Sequence, residues 1–130
     1  MLVLTDESVT GAAVSYLQGL SQLTVQRSVD IIGQGQPDDV VALLAEQMKA
    51  VVVNSNARDF DKLISRRPQK TGQQAFRFAG RISLKCKVHR EAERLSKLMP
   101  RLLDEFGHCI NQSDARFIVN IHDDWFSVER

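Results

Sequence analysis

The stretch Ala50-Val51-Val52-Val53-Asn54-Ser55-Asn56 decides the fold that the sequence predicts. Its first four residues are apolar and mostly β-branched, and the polar residues after them end the run, which is typical of a buried strand. Residues 2–5 repeat this pattern near the start of the chain and end at Asp6 and Glu7. Both runs are therefore predicted to be buried strands.

The segments between and after these runs have apolar residues at helical or alternating spacing. Apolar residues at helical spacing predict a helix over about 8–20, with Ser8 as a possible N-cap. A strand over 23–27, a helix over 37–48 and a short helix over 59–64 follow. Strands that alternate with helices predict a mostly parallel sheet with helices on both faces.

The second half of the chain predicts the rest of the sheet. A fourth strand is expected over 81–85, and two closing strands over 117–121 and 125–128. Between them, a long amphipathic pattern over 88–106 predicts a helix that ends at Gly107.

Length and composition set the class of protein. The chain has 130 residues, so residues 1–130 are predicted to form a single domain. Its 43% hydrophobic and 25% charged residues are typical of globular proteins and exclude a mainly disordered chain. No apolar run is long enough to span a membrane, and no basic segment of a signal peptide is present. We therefore expect a cytoplasmic protein in which Cys86 and Cys109 remain thiols.

The net charge of +1 hides a separation of charges along the chain. Residues 1–61 carry three basic residues against eight acids, whereas residues 62–101 carry twelve against two. This pattern suits a protein that holds a cation at one place and a polyanion beside it. A solvated helix face with scattered lysines explains it equally well.

Carboxylates and amides follow strands or open a helix at three places. They are Asp6-Glu7, Asp38-Asp39 and Asn54-Ser55-Asn56 with Asp59. The ends of parallel strands meet at one sheet edge, where clustered carboxylates repel unless a cation lies between them. A divalent cation with oxygen ligands suits such an edge and can activate water against a phosphodiester. Taken singly, these residues are explained as helix caps, first-turn acids and turn formers, but their conjunction favours a metal site.

Other kinds of site find weaker support. Cys86 and His89 have the spacing of zinc ligands, but the second pair that a structural zinc site needs is missing. No nucleophile motif and no phosphate-binding glycine loop is present. A phosphoacceptor receiver domain would need an aspartate where Asn54 ends the third strand. Trp125 is predicted to be a core or turn residue and not a stacking platform, and His122 a surface residue of that turn.

The N-terminal half resembles the small PIN-like proteins, which are related to PIN-domain ribonucleases and VapC-type toxins. The resemblance covers about residues 1–65 and is carried by Leu4-Thr5-Asp6-Glu7-Ser8-Val9, Pro37-Asp38-Asp39-Val40-Val41 and Val51-Val52-Val53-Asn54-Ser55-Asn56-Ala57-Arg58-Asp59-Phe60. The chain departs from the family pattern at two positions. Asn54 replaces the usual threonine, and Asn56 replaces an aspartate of many relatives.

This resemblance implies a three-layer PIN-like (Rossmann-like) fold and RNA cleavage that depends on Mg²⁺ or Mn²⁺. It implies that Asp6 is the central metal ligand, that Asp39 and Asp59 are the further catalytic acids and ligands, and that Asn56 is a fourth ligand. Asp39 is preferred to Asp38, which is better placed to complement the helix dipole. An amide adds no charge, so the resemblance also implies a lower metal affinity than an aspartate at position 56 would give.

Two functions follow from these observations. In the first, a metal-dependent ribonuclease binds RNA phosphates through a basic segment whose members are Arg66, Arg67, Lys70, Arg77 and Arg81. This ribonuclease is a candidate for the toxin of a toxin–antitoxin pair. The alternative is a PIN-like binding or regulatory protein that has lost catalysis and acts through a protein partner, such as a small antitoxin. Homodimerisation through the helix over 88–106 is a further expectation, although the same apolar stripe suits a core face.

Overall fold

The fold is built around one sheet of six strands. The computed structural model describes residues 1–55, 60, 61, 63, 64, 80–111 and 117–129. Its strands are β1 (Leu2–Thr5), β2 (Thr24–Arg27), β3 (Val51–Asn54), β4 (Gly80–Leu84), β5 (Ile118–Ile121) and β6 (Phe126–Glu129). They lie in the order β2-β1-β3-β4-β5-β6. Neighbours from β2 to β5 run parallel and β6 pairs antiparallel with β5, so the predicted mostly parallel sheet is confirmed.

Four α-helices connect these strands within the described residues. They are α1 (Gly11–Gln18), α2 (Ser28–Ile32), α3 (Asp38–Met48) and α4 (Glu91–Ile110), the last preceded by a 3-10 turn at Val88–Arg90. No helix in the described ranges is both long and apolar enough to cross a membrane.

The helices cover both faces of the sheet. One core cluster combines α1 and α4 with side chains such as Val53 and Ile82, and a second combines α3 with Leu4 and Val52. Because successive side chains of a strand point to opposite faces, α3 lies on the face opposite α1 and α4. The predicted layers of helix, sheet and helix are therefore confirmed.

The structure corrects several helix boundaries. Thr10, not Ser8, caps α1, because its hydroxyl accepts a hydrogen bond from Ala13 N at 3.3 Å. Helix α4 does not end at Gly107 but continues until Ile110, since the buried Cys109 prolongs its core-facing stripe. The five-residue helix α2 is absent from the prediction because it is too short to show periodicity.

The order of the strands determines where a ligand can bind. From β1 the chain first moves outward to β2 and then returns to β3 on the other side of β1. The direction of winding thus reverses between β1 and β3. In open α/β sheets, ligands bind outside the carboxyl ends of the strands at such a reversal. Asp6 and Asn54 lie at these two strand ends.

Candidate active site

Asp6 is buried directly after β1. Its side chain is held by Ser8, whose hydroxyl and backbone N–H donate hydrogen bonds to Asp6 Oδ2 at 2.6 and 3.2 Å. The backbone of Asp6 extends the strand pairing by donating to Val53 O at 2.9 Å. The residue is 5% exposed, and both side-chain hydrogen bonds from the described residues reach Oδ2. Its other carboxylate oxygen, Oδ1, receives none from those residues.

A second buried carboxylate is connected to Asp6 through two serines. Ser55 N donates to Ser8 Oγ at 3.0 Å, and Ser55 Oγ donates to Glu91 Oε2 at 2.7 Å. Thr10 N donates to the other oxygen of Glu91 at 3.0 Å. Glu91 is the first residue of α4 and is only 1% exposed, so α4 presents a carboxylate to the same sheet edge.

Glu91 is absent from the residues that the sequence predicts at this edge, and Ser8 and Ser55 have roles there that the sequence did not predict. Glu91 belongs to the long amphipathic helix, and nothing in its local sequence separates a buried carboxylate from a solvent-facing one. One signal was present, because residues 62–101 contain only two acids among twelve basic residues. The other of these acids, Glu93, is exposed, so the charge pattern reduces the candidates to two without separating them.

Asn54 supplies a buried oxygen acceptor next to Asp6. Its amide nitrogen donates to Ser83 Oγ at 3.2 Å, whereas Oδ1 has no hydrogen-bond partner among the described residues. The parallel register of β1 and β3 brings Asp6 and Asn54 side by side. Asp6 alternates with Leu4 and Asn54 with Val52, and both apolar residues belong to the core under α3, so the two polar side chains project from the same face.

A cavity of about 440 Å³ opens beside Asp6, at the carboxyl ends of β1 and β2. Thr5, Glu7, Ser15 and Arg27 are among its lining residues. The side chain of Arg27 is about half exposed, and its Nη1 forms a weak ion pair with Asp30 Oδ1 at 3.8 Å. The cavity therefore combines the carboxylate of Asp6 with a cationic group.

Asp39 occupies the first turn of α3, as predicted, but its carboxylate is used locally. The side chain is exposed, and its Oδ1 accepts a hydrogen bond from Val40 N at 3.0 Å. The loop before α3 approaches the acidic pair after β1, because Gly35 N donates to Glu7 Oε1 at 3.1 Å. The structure thus brings the loop before α3 to the acidic pair after β1.

The remaining predicted metal ligands, Asn56 and Asp59, lie outside the described residues. Within residues 1–55, 60–61, 63–64, 80–111 and 117–129, no three His, Cys, Asp or Glu side chains are grouped so that they could hold a metal ion.

Arg81 does not occupy the position predicted for an RNA contact. It is 4% exposed, on the α3 side of β4. Its guanidinium donates to Ile64 O at 2.7 Å, to Ser83 Oγ at 2.7 Å and to Asn120 Oδ1 at 2.9 Å, and it pairs with Asp61 at 2.9 Å. Burial lowers the pKa of Arg81, and the carboxylate of Asp61 opposes this shift. A guanidinium so enclosed cannot reach a phosphate, because alternation along β4 turns it inward.

The other predicted RNA contacts lie outside the described residues. They are Arg66, Arg67, Lys70 and Arg77.

The prediction that Trp125 is a core or turn residue is confirmed for the turn and wrong for the core. Trp125 lies in the turn between β5 and β6 and is 57% exposed. Its indole stacks on His122 with ring centroids 3.8 Å apart and an interplanar angle of 9°. Phe126, the next residue, takes the inward position at the start of β6 and packs on the core.

Comparison with protein-family models, curated proteins and solved structures finds no match to this chain.

Proposed function

We propose that this chain is a Mg²⁺- or Mn²⁺-dependent ribonuclease of the PIN-like type whose metal site centres on Asp6. The observation that carries the proposal is the buried Asn54 Oδ1, an acceptor with no hydrogen-bond partner among the described residues, on a residue that the strand register pairs with Asp6. Such an unpaired buried group costs about 1–3 kcal/mol. A cation between the two side chains would offset that cost.

The donor set suits a hard divalent cation. Mg²⁺ and Mn²⁺ bind carboxylate and amide oxygens and retain several waters. Asp6 Oδ1 and Asn54 Oδ1 would be the ligand atoms, with Asp39, Asn56 and Asp59 proposed as further ligands on the resemblance to PIN-like proteins. When bound, the cation supplies an activated water and neutralises charge on a phosphodiester.

The protein groups around Asp6 have distinct parts in this proposal. Ser8 holds Asp6 Oδ2 and so fixes the orientation of the carboxylate. Glu91 is a positioning residue, because it holds Ser55 and through it Ser8. Arg27 lines the adjacent cavity, where it would pair with a phosphate of the RNA.

The test combines metal titration with an RNA cleavage assay. We expect Mg²⁺ or Mn²⁺ to bind in calorimetry and a single-stranded RNA to be cleaved only with the metal present. Asp6→Asn should abolish both, and the control Asp104→Asn, at an exposed position of α4, should leave both unchanged. Cleavage that persists in excess chelator, or an Asp6→Asn variant that remains active, would contradict the proposal.

A second candidate is a PIN-like binding protein without catalytic activity, which acts through a protein partner. It is favoured by Asp39, whose exposed carboxylate accepts a hydrogen bond from Val40 N within its own helix. This candidate predicts no calorimetric signal with millimolar Mg²⁺ or Mn²⁺. The same titration therefore separates the two functions.

A further inference from the structure

The turn between β5 and β6 presents an exposed aromatic ring in a fixed orientation. Trp125 is 57% exposed while His122 stacks on the indole at a centroid distance of 3.8 Å. The stack covers one face of the indole, and more than half of the residue is still exposed to solvent. An exposed indole would normally lie flat on apolar neighbours to reduce its contact with water.

Two arginines of α4 and its preceding turn hold this turn in place. Arg94 donates to His122 O at 2.9 Å and to Trp125 O at 3.3 Å, and Arg90 donates to Asp123 O at 2.9 Å. His122 N also donates to Trp125 O at 2.8 Å. The backbone on both sides of the indole is therefore fixed before any ligand arrives, which lowers the entropy lost on binding.

The turn lies at the sheet edge that carries the candidate metal site. His122 follows β5 as Asp6 follows β1, and these strands run in the same direction. Strand β5 is two positions from β3 and three from β1. At a strand spacing of about 4.8 Å, the turn is about 10 Å from the end of β3 and about 14 Å from the end of β1. A short single-stranded segment can span this distance.

We propose that the His122–Trp125 stack is a platform for one base of a single-stranded RNA whose backbone crosses the sheet edge toward Asp6. The inference rests on the proposed function, because it assigns the RNA a position at that site. Bases of any sequence stack on an exposed aromatic side chain, and single-stranded RNA is commonly bound in this way.

The charges beside the ring favour RNA over an apolar protein segment. Lys87 is exposed, and its ammonium forms no ion pair within the described part of the chain. Its backbone N–H donates to Asp123 Oδ1 at 2.9 Å, which brings the residue to the turn. Arg90 pairs with Asp123 at 3.6 Å and with Asp124 at 3.9 Å. Counted with Lys87 and Arg94, the three cations at the turn exceed its two carboxylates by one charge. A flat ring in a net positive surrounding matches a base and its phosphate, whereas a hydrophobic anchor of a protein partner would leave this charge without a counterpart.

Tryptophan fluorescence tests the platform directly, because Trp125 is the only tryptophan of the chain. The probe is an unstructured RNA of about ten nucleotides, within the site sizes of single-strand binders, added in the presence of chelator so that it is not cleaved. We expect saturable quenching of the indole. An abasic strand of the same length, which keeps the phosphates but lacks the bases, should bind more weakly and leave the emission unchanged.

Variants with labelled RNA give the affinity. Trp125→Ala should weaken binding at least about fivefold, the lower bound for the loss of one stacked base, and Trp125→Phe should stay within about twofold of the original protein. The control Ile110→Ala removes an exposed apolar side chain at the far end of α4 and should have no effect. Equal quenching by the abasic strand, unchanged emission with RNA or an unchanged affinity of Trp125→Ala would overturn the platform.

These outcomes are independent of the nuclease proposal. Quenching and loss of affinity in Trp125→Ala without any metal-dependent cleavage would support the platform and reject the ribonuclease. If Trp125→Ala cleaves RNA and its cleavage rate depends on RNA concentration as in the original protein, the result would support the ribonuclease and reject the platform.

Discussion

The two faces of the sheet differ in the side chains that they bury. Toward α1 and α4, the central strands β3, β4 and β5 present only apolar residues, namely Val51, Val53, Ile82, Leu84, Val119 and Ile121. Toward α3, the face is apolar beneath the helix but becomes polar across the same three strands and into β6. The polar residues of that face are Asn54, Arg81, Ser83, Asn120 and Ser127.

The difference separates the part of the molecule that stabilises the fold from the part that prepares a site. Apolar burial lowers the free energy of the folded state by about 25 cal/mol per Å². A buried polar network contributes little net stability, because the loss of hydration offsets its hydrogen bonds. The polar residues of the face toward α3 end at Asn54, beside Asp6, where the strand order also predicts a ligand site. We therefore expect substitutions on the two faces to affect stability and ligand binding differently.

The largest effect is expected at Arg81, the buried cation of the polar face. Arg81→Met keeps most of the volume but leaves the buried acceptors Ile64 O and Asn120 Oδ1 without this donor, while Asp61 keeps its ion pair with Lys85 at 3.0 Å. Each buried acceptor that loses its donor costs about 1–3 kcal/mol, so the free energy of unfolding should fall by about 2–6 kcal/mol. Urea unfolding measures the change. The control Arg101→Met breaks only a pair of an exposed arginine with Glu105 and should cost less than about 1 kcal/mol. Equal costs for the two variants would mean that the polar face does not depend on Arg81.

A comparable but smaller loss is expected on the apolar face. Leu95 is fully buried between α4 and the sheet, so Leu95→Ala should lower the free energy of unfolding by about 2–4 kcal/mol through lost burial and a cavity. Metal affinity of the folded fraction should not change, because Leu95 lies in the core of the other face. A loss below about 1 kcal/mol in urea unfolding would show that this face tolerates a cavity and is not the main source of stability.

A substitution of Asn54 should lower metal affinity without a matching loss in the free energy of unfolding. Asn54→Leu removes a buried oxygen that lacks a hydrogen-bond partner among the described residues, while Ser83 Oγ keeps the hydrogen bond from Arg81. Replacing an unpaired polar group by an apolar one is near neutral, so stability should stay within about 1 kcal/mol of the original protein or rise. Metal affinity should fall at least about tenfold in calorimetry. A variant that is strongly destabilised, or that binds Mg²⁺ as before, would contradict the role of this oxygen.

Local sequence patterns were sufficient for most of the fold. The β-branched run before Asn54 and the apolar run before Asp6 each formed the expected strand, because short buried strands depend on their own residues. The alternation of strands and helices was enough to predict a parallel sheet. The apolar stripe of the long helix also predicted α4, although not its last turn.

The site was harder to predict, because burial and pairing depend on residues that are distant in sequence. Arg81 was grouped with exposed basic residues, since only the pairing of β4 with its neighbours shows that its side chain turns inward. Trp125 and Phe126 are adjacent and aromatic, and only the register of the β5–β6 hairpin determines which of them faces the core. Glu91 meets Ser55 across 36 positions of sequence, a separation that no local pattern reveals.

The smallest expected effect concerns the carboxylate of Glu91, whose charge can be detected through the reactivity of the Cys86 thiol. Burial is the main cause that raises the pKa of the Cys86 thiol, and the nearby negative charge of Glu91 raises it further. In Glu91→Gln that charge is removed while the amide oxygen can still accept from Thr10 N or Ser55 Oγ. The thiol pKa should then move down toward its ordinary value, so a larger fraction is thiolate at a given pH. Because the thiolate is the reactive form, alkylation of Cys86 at mildly alkaline pH should become faster.

Peptide mass spectrometry distinguishes alkylation of Cys86 from that of Cys109, which is buried. The matched control is Glu93→Gln, two residues away on the exposed side of α4, where no change in rate is expected. Equal rates for the two variants would contradict an electrostatic contact between Glu91 and the thiol, whereas a faster reaction in Glu91→Gln alone would place a charged carboxylate at the edge of the polar site.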